Sequence, residues 1–170
     1  MKWLGAALIL AASTLLGLTM ANRYRERPRQ LRQLKVALQS LEAEIVYGLT
    51  PLKEAAENIA KQIQHPLADM FASFAGRLED GESSVAEAWS ESLEAVWPHT
   101  CLEKEEFEIL KQFGATLGRH DRDHQQKQIK LTILHLEREE MEAKDAQMRN
   151  EKMMKSLGIL AGLLFIILLM

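Results

Sequence analysis

Two histidines four residues apart are the only pattern in this sequence that resembles a metal site. His120 and His124 would share one face of a helix and could hold a divalent metal together with a carboxylate from elsewhere. Asp121 and Asp123 lie between them, but polar residues of this kind are typical of a helix start. The neighbouring bases, Arg119, Arg122, Lys127 and Lys130, also work against cation binding. We therefore predict no metal site.

A second group of polar residues surrounds a predicted turn. Glu42 and Glu44 flank the apolar stripe of a helix that ends near Gly48, and Glu54 and Glu57 follow in the next helix. Two alternatives stay open for Glu42: a solvated carboxylate at the edge of the stripe, or a groove residue that pairs with a base from another helix or from a partner.

Known catalytic motifs are absent from the chain. It contains no glycine-rich phosphate loop, no GxSxG, no CxxC and no HExxH. The single cysteine, Cys101, excludes an internal disulfide and is expected to be a small, buried or half-buried apolar residue rather than a nucleophile. A net charge of −3 with 26% charged residues does not indicate a nucleic-acid partner. We expect a non-enzymatic protein without cofactors.

Nearly all of the charge lies in the middle of the chain. Residues 3–21 and 156–170 carry none, and roughly 20 helical residues suffice to cross a bilayer. Six basic residues follow the first segment in sequence: Arg23, Arg25, Arg27, Arg29, Arg32 and Lys35. By the positive-inside rule, the sequence predicts transmembrane segments at residues 1–22 and 153–170 and a cytoplasmic domain at residues 23–152. A cleaved signal peptide is the alternative at the N-terminus, and a surface or buried helix is the alternative at the C-terminus.

The middle of the chain has the pattern of an all-α bundle of five to six helices. Apolar residues at positions 31, 34, 38, 41 and 45 form one stripe of a helix running from about Pro28 to Gly48. Thr50 and Pro51 look like the N-cap and first residue of the next helix. Further helices are predicted to start at His65 and Pro66, and at two capping boxes, Ser84 to Glu87 and Thr100 to Glu103. We expect the first and last helices to extend into the membrane segments.

The last predicted helix is long and carries a second apolar pattern. No proline interrupts the chain from Asp121 to Met170. Leu131, Leu134, Met141 and Met148 fall at heptad positions, but Arg138 and Asp145 interrupt that seam. A regular coiled coil is therefore not expected.

The segment from Leu41 to Ala55, LEAEIVYGLTPLKEA, resembles the stage III sporulation protein AB family of endospore-forming bacteria. The likeness extends to the arginine-rich exit of the first apolar segment and to the apolar C-terminus. That family is similar to the F-type inner-membrane platform proteins of type II secretion and type IV pilus systems, whose cytoplasmic domains are six-helix bundles. Platform proteins usually carry two such bundles, whereas this chain has room for one. The resemblance therefore implies either a homo-oligomer or a reduced version of the role.

The resemblance implies a scaffold that docks a cytoplasmic secretion-type ATPase and couples it to other membrane subunits of a sporulation complex. Its place would be the mother-cell membrane facing the forespore. The predicted docking surface is the membrane-distal one, near the turn of residues 48–51 or the loops at residues 80–84 and 98–100. The candidate partner-binding residues are Glu42, Glu44, Tyr47, Gly48, Thr50, Pro51 and Glu54. The alternative function is a membrane-tethered sensor or adaptor that signals through its long last helix.

Overall fold

A computed structural model describes the backbone of residues 2–81, 83–118 and 122–169, and the side chains of residues 22–81, 83–118, 123–150 and 153. The described residues form six α-helices and no strand. The helices are α1 (Lys2–Glu42), α2 (Leu52–Gln62), α3 (Leu67–Asp80), α4 (Val85–Val96), α5 (Lys104–Thr116) and α6 (Arg122–Leu169). A π-helical turn, Ala43–Tyr47, follows α1, and a 3₁₀ turn, Trp97–His99, follows α4. The all-α bundle and its helix number are confirmed.

Consecutive helices pack against one another, and α6 returns to pack along α1, which closes the bundle. Within α1, the predicted stripe is confirmed for its four leucines, which are fully buried. Ile45, its last predicted member, lies in the π-helical turn and is half-buried. The helix does not begin near Pro28, however, because α1 runs without a break from Lys2 through a buried Pro28. Proline has no backbone N–H, so α1 lacks one helical hydrogen bond at Pro28 but continues on both sides of it.

One of the two predicted capping boxes is present in the structure, and the other is not. The capping box at Ser84 is confirmed, with Ser84 N donating to Glu87 Oε2 at 2.8 Å. The box at Thr100 is wrong, because the chain stays extended until Glu103, whose N–H donates to Glu106 at 2.6 Å. Thr100 instead donates its hydroxyl to the carbonyl of Trp97. The two patterns are equally good in sequence, and only tertiary contacts distinguish them.

Trp89 of α4 lies at the centre of the core. Its ring makes edge contacts with Phe71, Phe74 and Phe113, with centroids 5.1–5.7 Å apart. Its indole N–H donates to the Leu110 carbonyl at 2.8 Å, so the buried polar atom is satisfied. Gly114 of α5 allows this arrangement, because a Cβ at that position would lie 1.9 Å from Trp89 Cδ1.

In the part of the chain whose side chains are described, no helix carries an apolar stretch long enough to cross a bilayer. The two predicted spans fall almost entirely outside that part, at residues 1–21 and 154–170, and they stay predictions.

The close approach of α5 to Trp89 gives a test of the core. We expect Gly114→Ala to lower the free energy of unfolding by about 1–3 kcal/mol, because the added methyl group overlaps the indole ring. The matched control is Gly76→Ala in α3, where an added Cβ meets nothing within 4 Å. That change is expected to stabilise the protein by about 0.5–1 kcal/mol, through helix propensity alone. Urea denaturation of both variants measures the difference, and equal effects would contradict the packing described for Trp89.

Candidate docking site at the turn between the first two helices

The turn between α1 and α2 is built by an unusual helix end. After the π-helical turn, the N–H of Gly48 donates to the Ala43 carbonyl at 2.9 Å, and the N–H of Thr50 donates to the Glu44 carbonyl at 2.9 Å. A Cβ on Gly48 would lie only 2.9 Å from that Glu44 carbonyl oxygen. The φ of Gly48 is −78°, so glycine is needed here for its size rather than for its conformational freedom.

Leu49, not Gly48, takes the left-handed conformation in this turn, with φ of 57°. For a residue with a side chain, that conformation costs about 1–2 kcal/mol. Burial of the side chain does not offset the cost, since Leu49 is 58% exposed. Tyr47, two residues earlier in the chain, is 72% exposed. A large apolar pair held in solvent on a strained backbone is typical of a surface that contacts a partner.

Glu44 holds this turn together through its side chain. It accepts hydrogen bonds from the Thr50 hydroxyl at 2.6 Å and from Asn58 Nδ2 at 3.3 Å. Thr50 therefore does not cap α2, which is a correction to the sequence prediction. The N-cap position belongs to Pro51, and α2 begins at Leu52.

Glu42 connects the turn to α6. It is 14% exposed and lies 3.6 Å from Lys130 Nζ. Gln126 Nε2 donates to Glu42 at 2.7 Å and to the Tyr47 hydroxyl at 3.0 Å. Glu42 thus lies half-buried beside the leucine stripe and pairs with a base from another helix, Lys130.

Glu54, the last of the predicted partner-binding residues, is exposed on the first turn of α2. The structure thus gathers all seven residues at one end of the bundle. Sequence analysis missed Gln126 and Leu49. A glutamine in a polar helix gives no signal of its partners, and the left-handed conformation of Leu49 follows from contacts around it.

The predicted loops do not all lie at this end. Lys53 pairs with Glu79 at 2.9 Å, so the loop after Asp80 lies beside the turn. We call the surface formed by residues 47–54 and 79–81 the distal tip.

The loop of residues 98–100 lies at the opposite end, and its predicted placement with the turn is wrong. Next to that loop, the Cys101 N–H donates to the Gln30 side chain at 2.8 Å, and Arg27 pairs with Glu103 at 3.2 Å. These α1 residues are about 25–30 Å from Tyr47 along the helix. The physical reason is the up-and-down topology, in which consecutive loops alternate between the two ends of a bundle.

A cluster of buried charges fixes α1 against α5 and α6. Arg27 lies 2.6 Å from Glu106, which is fully buried, and 3.6 Å from Glu139, which is 7% exposed. Burial raises the pKa of Glu139, and the negative charges of Glu142 and Glu106 raise it further. The Arg27 guanidinium thus pairs with several carboxylates, and it lies closer to Glu106 than to Glu139.

A second cluster is centred on Glu140 of α6, which is 5% exposed. Its partners are Lys144 at 2.7 Å, Lys35 at 3.1 Å and Arg32 at 3.3 Å. Burial would raise the pKa of Glu140, but the hydrogen bonds from Lys144 and Lys35 outweigh it and lower the pKa to about 2. Basic residues that the sequence assigns to membrane topology therefore also hold the bundle together.

The remaining candidates for chemistry give no site. His120 lies outside the described residues, and His124 is exposed. No group of three or more metal-ligating side chains occurs within the described residues. Cys101 is half-buried, and burial raises the pKa of its thiol, which makes it a poor nucleophile.

Comparisons with known proteins agree with the helical arrangement. The model of the family "Stage III sporulation protein AB" matches residues 2–170. The chain belongs to this family. A relative of that name from Bacillus subtilis (strain 168) is 56% identical over 170 residues, covering 100% of this chain and 99% of the relative. A solved structure of stage III sporulation protein AB is 54% identical, with a TM-score of 0.70, over 73% of this chain and 98% of that one. The predicted role in sporulation is confirmed.

Two neighbouring glutamates of α6, Glu139 and Glu140, should differ in how the loss of their charge changes the free energy of unfolding. Because the folded-state pKa of Glu140 is depressed from 4.5 to about 2, its contribution is present above about pH 4.5 and is lost as pH falls towards 2. We expect Glu140→Gln to lower the free energy of unfolding at pH 7 by about 2–3 kcal/mol. The free energy of unfolding of this variant should also fall less steeply than that of the original protein as the pH drops below about 4.5.

The matched control is Glu139→Gln. Because the pKa of Glu139 is raised, its charged form is disfavoured in the folded state, and its neutralisation should cost little or should stabilise at pH 7. Urea denaturation at pH 7, 5 and 3.5 separates the two variants. Equal losses at pH 7 would show that the two carboxylates are held alike.

Proposed function

We propose that this protein is a non-enzymatic scaffold subunit of a secretion-like complex needed for endospore development. In this proposal the bundle lies in the cytoplasm, attached to the mother-cell membrane that faces the forespore through residues 1–22 and 153–170. The distal tip docks a cytoplasmic ATPase, and α1 and α6 couple it to other membrane subunits. The observation that carries the proposal is the exposed pair Tyr47 and Leu49 on a strained turn that Glu44 holds in place.

The distal tip has the chemistry of a small protein interface. Its apolar centre is the pair Tyr47 and Leu49, and its rim carries the exposed carboxylates Glu54, Glu79 and Asp80. Interfaces are commonly built from an aromatic anchor surrounded by polar residues that exclude water. The complementary surface on the ATPase would offer an apolar pocket with a basic rim.

The bundle is suited to transmitting a displacement from this surface. Tyr47 is tied through Gln126 to α6, and α6 is tied to α1 by the charge clusters of Arg27 and Glu140. Both α1 and α6 run as unbroken helices from the tip to the opposite end of the bundle and beyond it. Motion at the tip would therefore reach the predicted membrane segments as movement of a rigid body rather than as local bending.

A membrane-tethered sensor or adaptor is the second candidate. The observation that favours it is the row of exposed apolar residues along α6. Such a protein would signal through its long last helix and would have no contact with an ATPase.

Substitutions at Leu49 separate docking from stability. We expect Leu49→Asn to weaken binding of the full-length protein in nanodiscs to the ATPase by about tenfold or more, because it removes an apolar anchor. Asparagine tolerates the left-handed conformation, so the free energy of unfolding should not fall. Val36→Asn is the control, since Val36 is 47% exposed on α1 outside the tip. Unchanged binding by Leu49→Asn would exclude the tip as the docking surface.

Photo-crosslinking in sporulating cells tests the docking surface and the membrane placement together. A photoreactive residue at Tyr47 should crosslink to a cytoplasmic ATPase, whereas one at the exposed His99, at the opposite end, should not. Crosslinks from Tyr47 only to extracytoplasmic proteins would invert the proposed orientation and would leave a scaffold between two membranes.

A further inference from the structure

The face of α6 that points away from the bundle carries a row of exposed apolar side chains. Leu131, Leu134, Met141 and Met148 are 50%, 61%, 63% and 56% exposed. We call this row, with Arg138 and Asp145 between its members, the outer stripe. The intervals from Leu131 to Met148 are three, four, three, four and three residues, which is the spacing of a helix that packs against one other helix.

The inner face of α6 is separate from this stripe. Ile129, Leu136 and Ala143 are buried in the bundle, and Glu139 and Glu140 make the ion pairs to α1. The outer stripe is therefore not an edge of the core. It extends over 18 residues, or about 27 Å of helix, as a second apolar surface on the opposite side of α6.

A second copy of this chain in the same orientation does not fit the stripe. In a parallel coiled coil, each core position faces its counterpart, so Arg138 would face Arg138 and Asp145 would face Asp145. The positions that flank the core also face each other: a residue of one copy lies opposite the residue five positions later in the other copy. This places Glu137 against Glu142 and Lys144 against Arg149. All four contacts are between like charges, which disfavours self-pairing. Glu142 and Lys144 are each paired within the chain, with Arg138 and Glu140, so the repulsion comes mainly from the two core positions.

An antiparallel copy would bring Arg138 near Asp145 and relieve this repulsion. It would also direct residues 154–170 of the two copies towards opposite ends of the pair. Two copies attached to one membrane through those residues, as in the proposed function, cannot adopt that arrangement. The occupant that remains is a helix of different sequence that reaches the same membrane.

We propose that the outer stripe binds an amphipathic helix of another membrane subunit of the same complex. That helix presents apolar residues at heptad spacing, an acidic side chain opposite Arg138 and a basic side chain opposite Asp145. The inference rests on the membrane placement in the proposed function and identifies the surface through which α6 contacts the membrane subunits.

The test uses the full-length protein in sporulating cells, with a photoreactive residue at Leu134 and, as control, at Val36 on α1. We expect adducts from Leu134 to a different integral membrane protein, within a peptide of the stated pattern, and none to that protein from Val36. Arg138→Glu should lower the adduct yield about fivefold through like-charge repulsion. Replacing the facing acidic residue of the captured protein by lysine should restore the yield.

Two controls keep the result interpretable. Leu134→Glu should leave the thermal unfolding temperature unchanged, because Leu134 does not contribute to the core. Disulfide crosslinking is carried out in a Cys101→Ser background, with Leu131→Cys and Met148→Cys expressed separately and together.

The remaining outcomes overturn the proposal in distinguishable ways. No adduct at Leu134, or a disulfide dimer formed by either cysteine variant alone, refutes the heterotypic helix but leaves docking at the distal tip intact. A disulfide that forms only when both variants are present shows antiparallel copies. That result would refute both this inference and the attachment of all copies to one membrane.

Discussion

The structure depends on how a few buried charges join the first and last helices of the chain. Arg27 and Lys35 of α1 meet Glu139 and Glu140 of α6 across more than one hundred residues of sequence. Buried ion pairs contribute little net stability compared with apolar packing, but they tolerate few alternative registers. Here the ion pairs fix the axial register of α1 relative to α6. The contact of Gln126 with Tyr47 at the distal tip requires that register.

The same register explains why the turn between α1 and α2 is rigid although it is exposed. Glu42 is held from the α6 side and Glu44 from the α2 side, so the two carboxylates of one short segment are fixed by different helices. Leu49 retains its strained conformation because the residues on both sides of it are fixed in this way. The turn is thus preorganised, and a partner would not have to order it on binding.

Much of the fold could be predicted from sequence because its signals are local. The leucine stripe of α1, the capping box at Ser84 and the unbroken run of α6 each depend on neighbouring residues. The errors arise where a residue outside the expected cap competes for a polar group. Thr50 gives its hydroxyl to Glu44 instead of to α2, and the chain near Cys101 is held extended by Gln30. The candidate site could be located, but the residues that fix it could not, since neither Gln126 nor the partners of Arg27 leave a pattern in sequence.

The antiparallel arrangement of α1 and α6 also determines how the protein would bear mechanical load. The bundle ends of both helices that lead to the termini lie on the same side, so a force between the distal tip and that side stretches α1 and α6 together and does not slide one along the other. A force that separates the two termini acts differently. It would peel the helices apart one contact at a time, and the Arg27 cluster would be the first to open, before that of Glu140. The protein should therefore resist pulling along its axis far better than prying at its base.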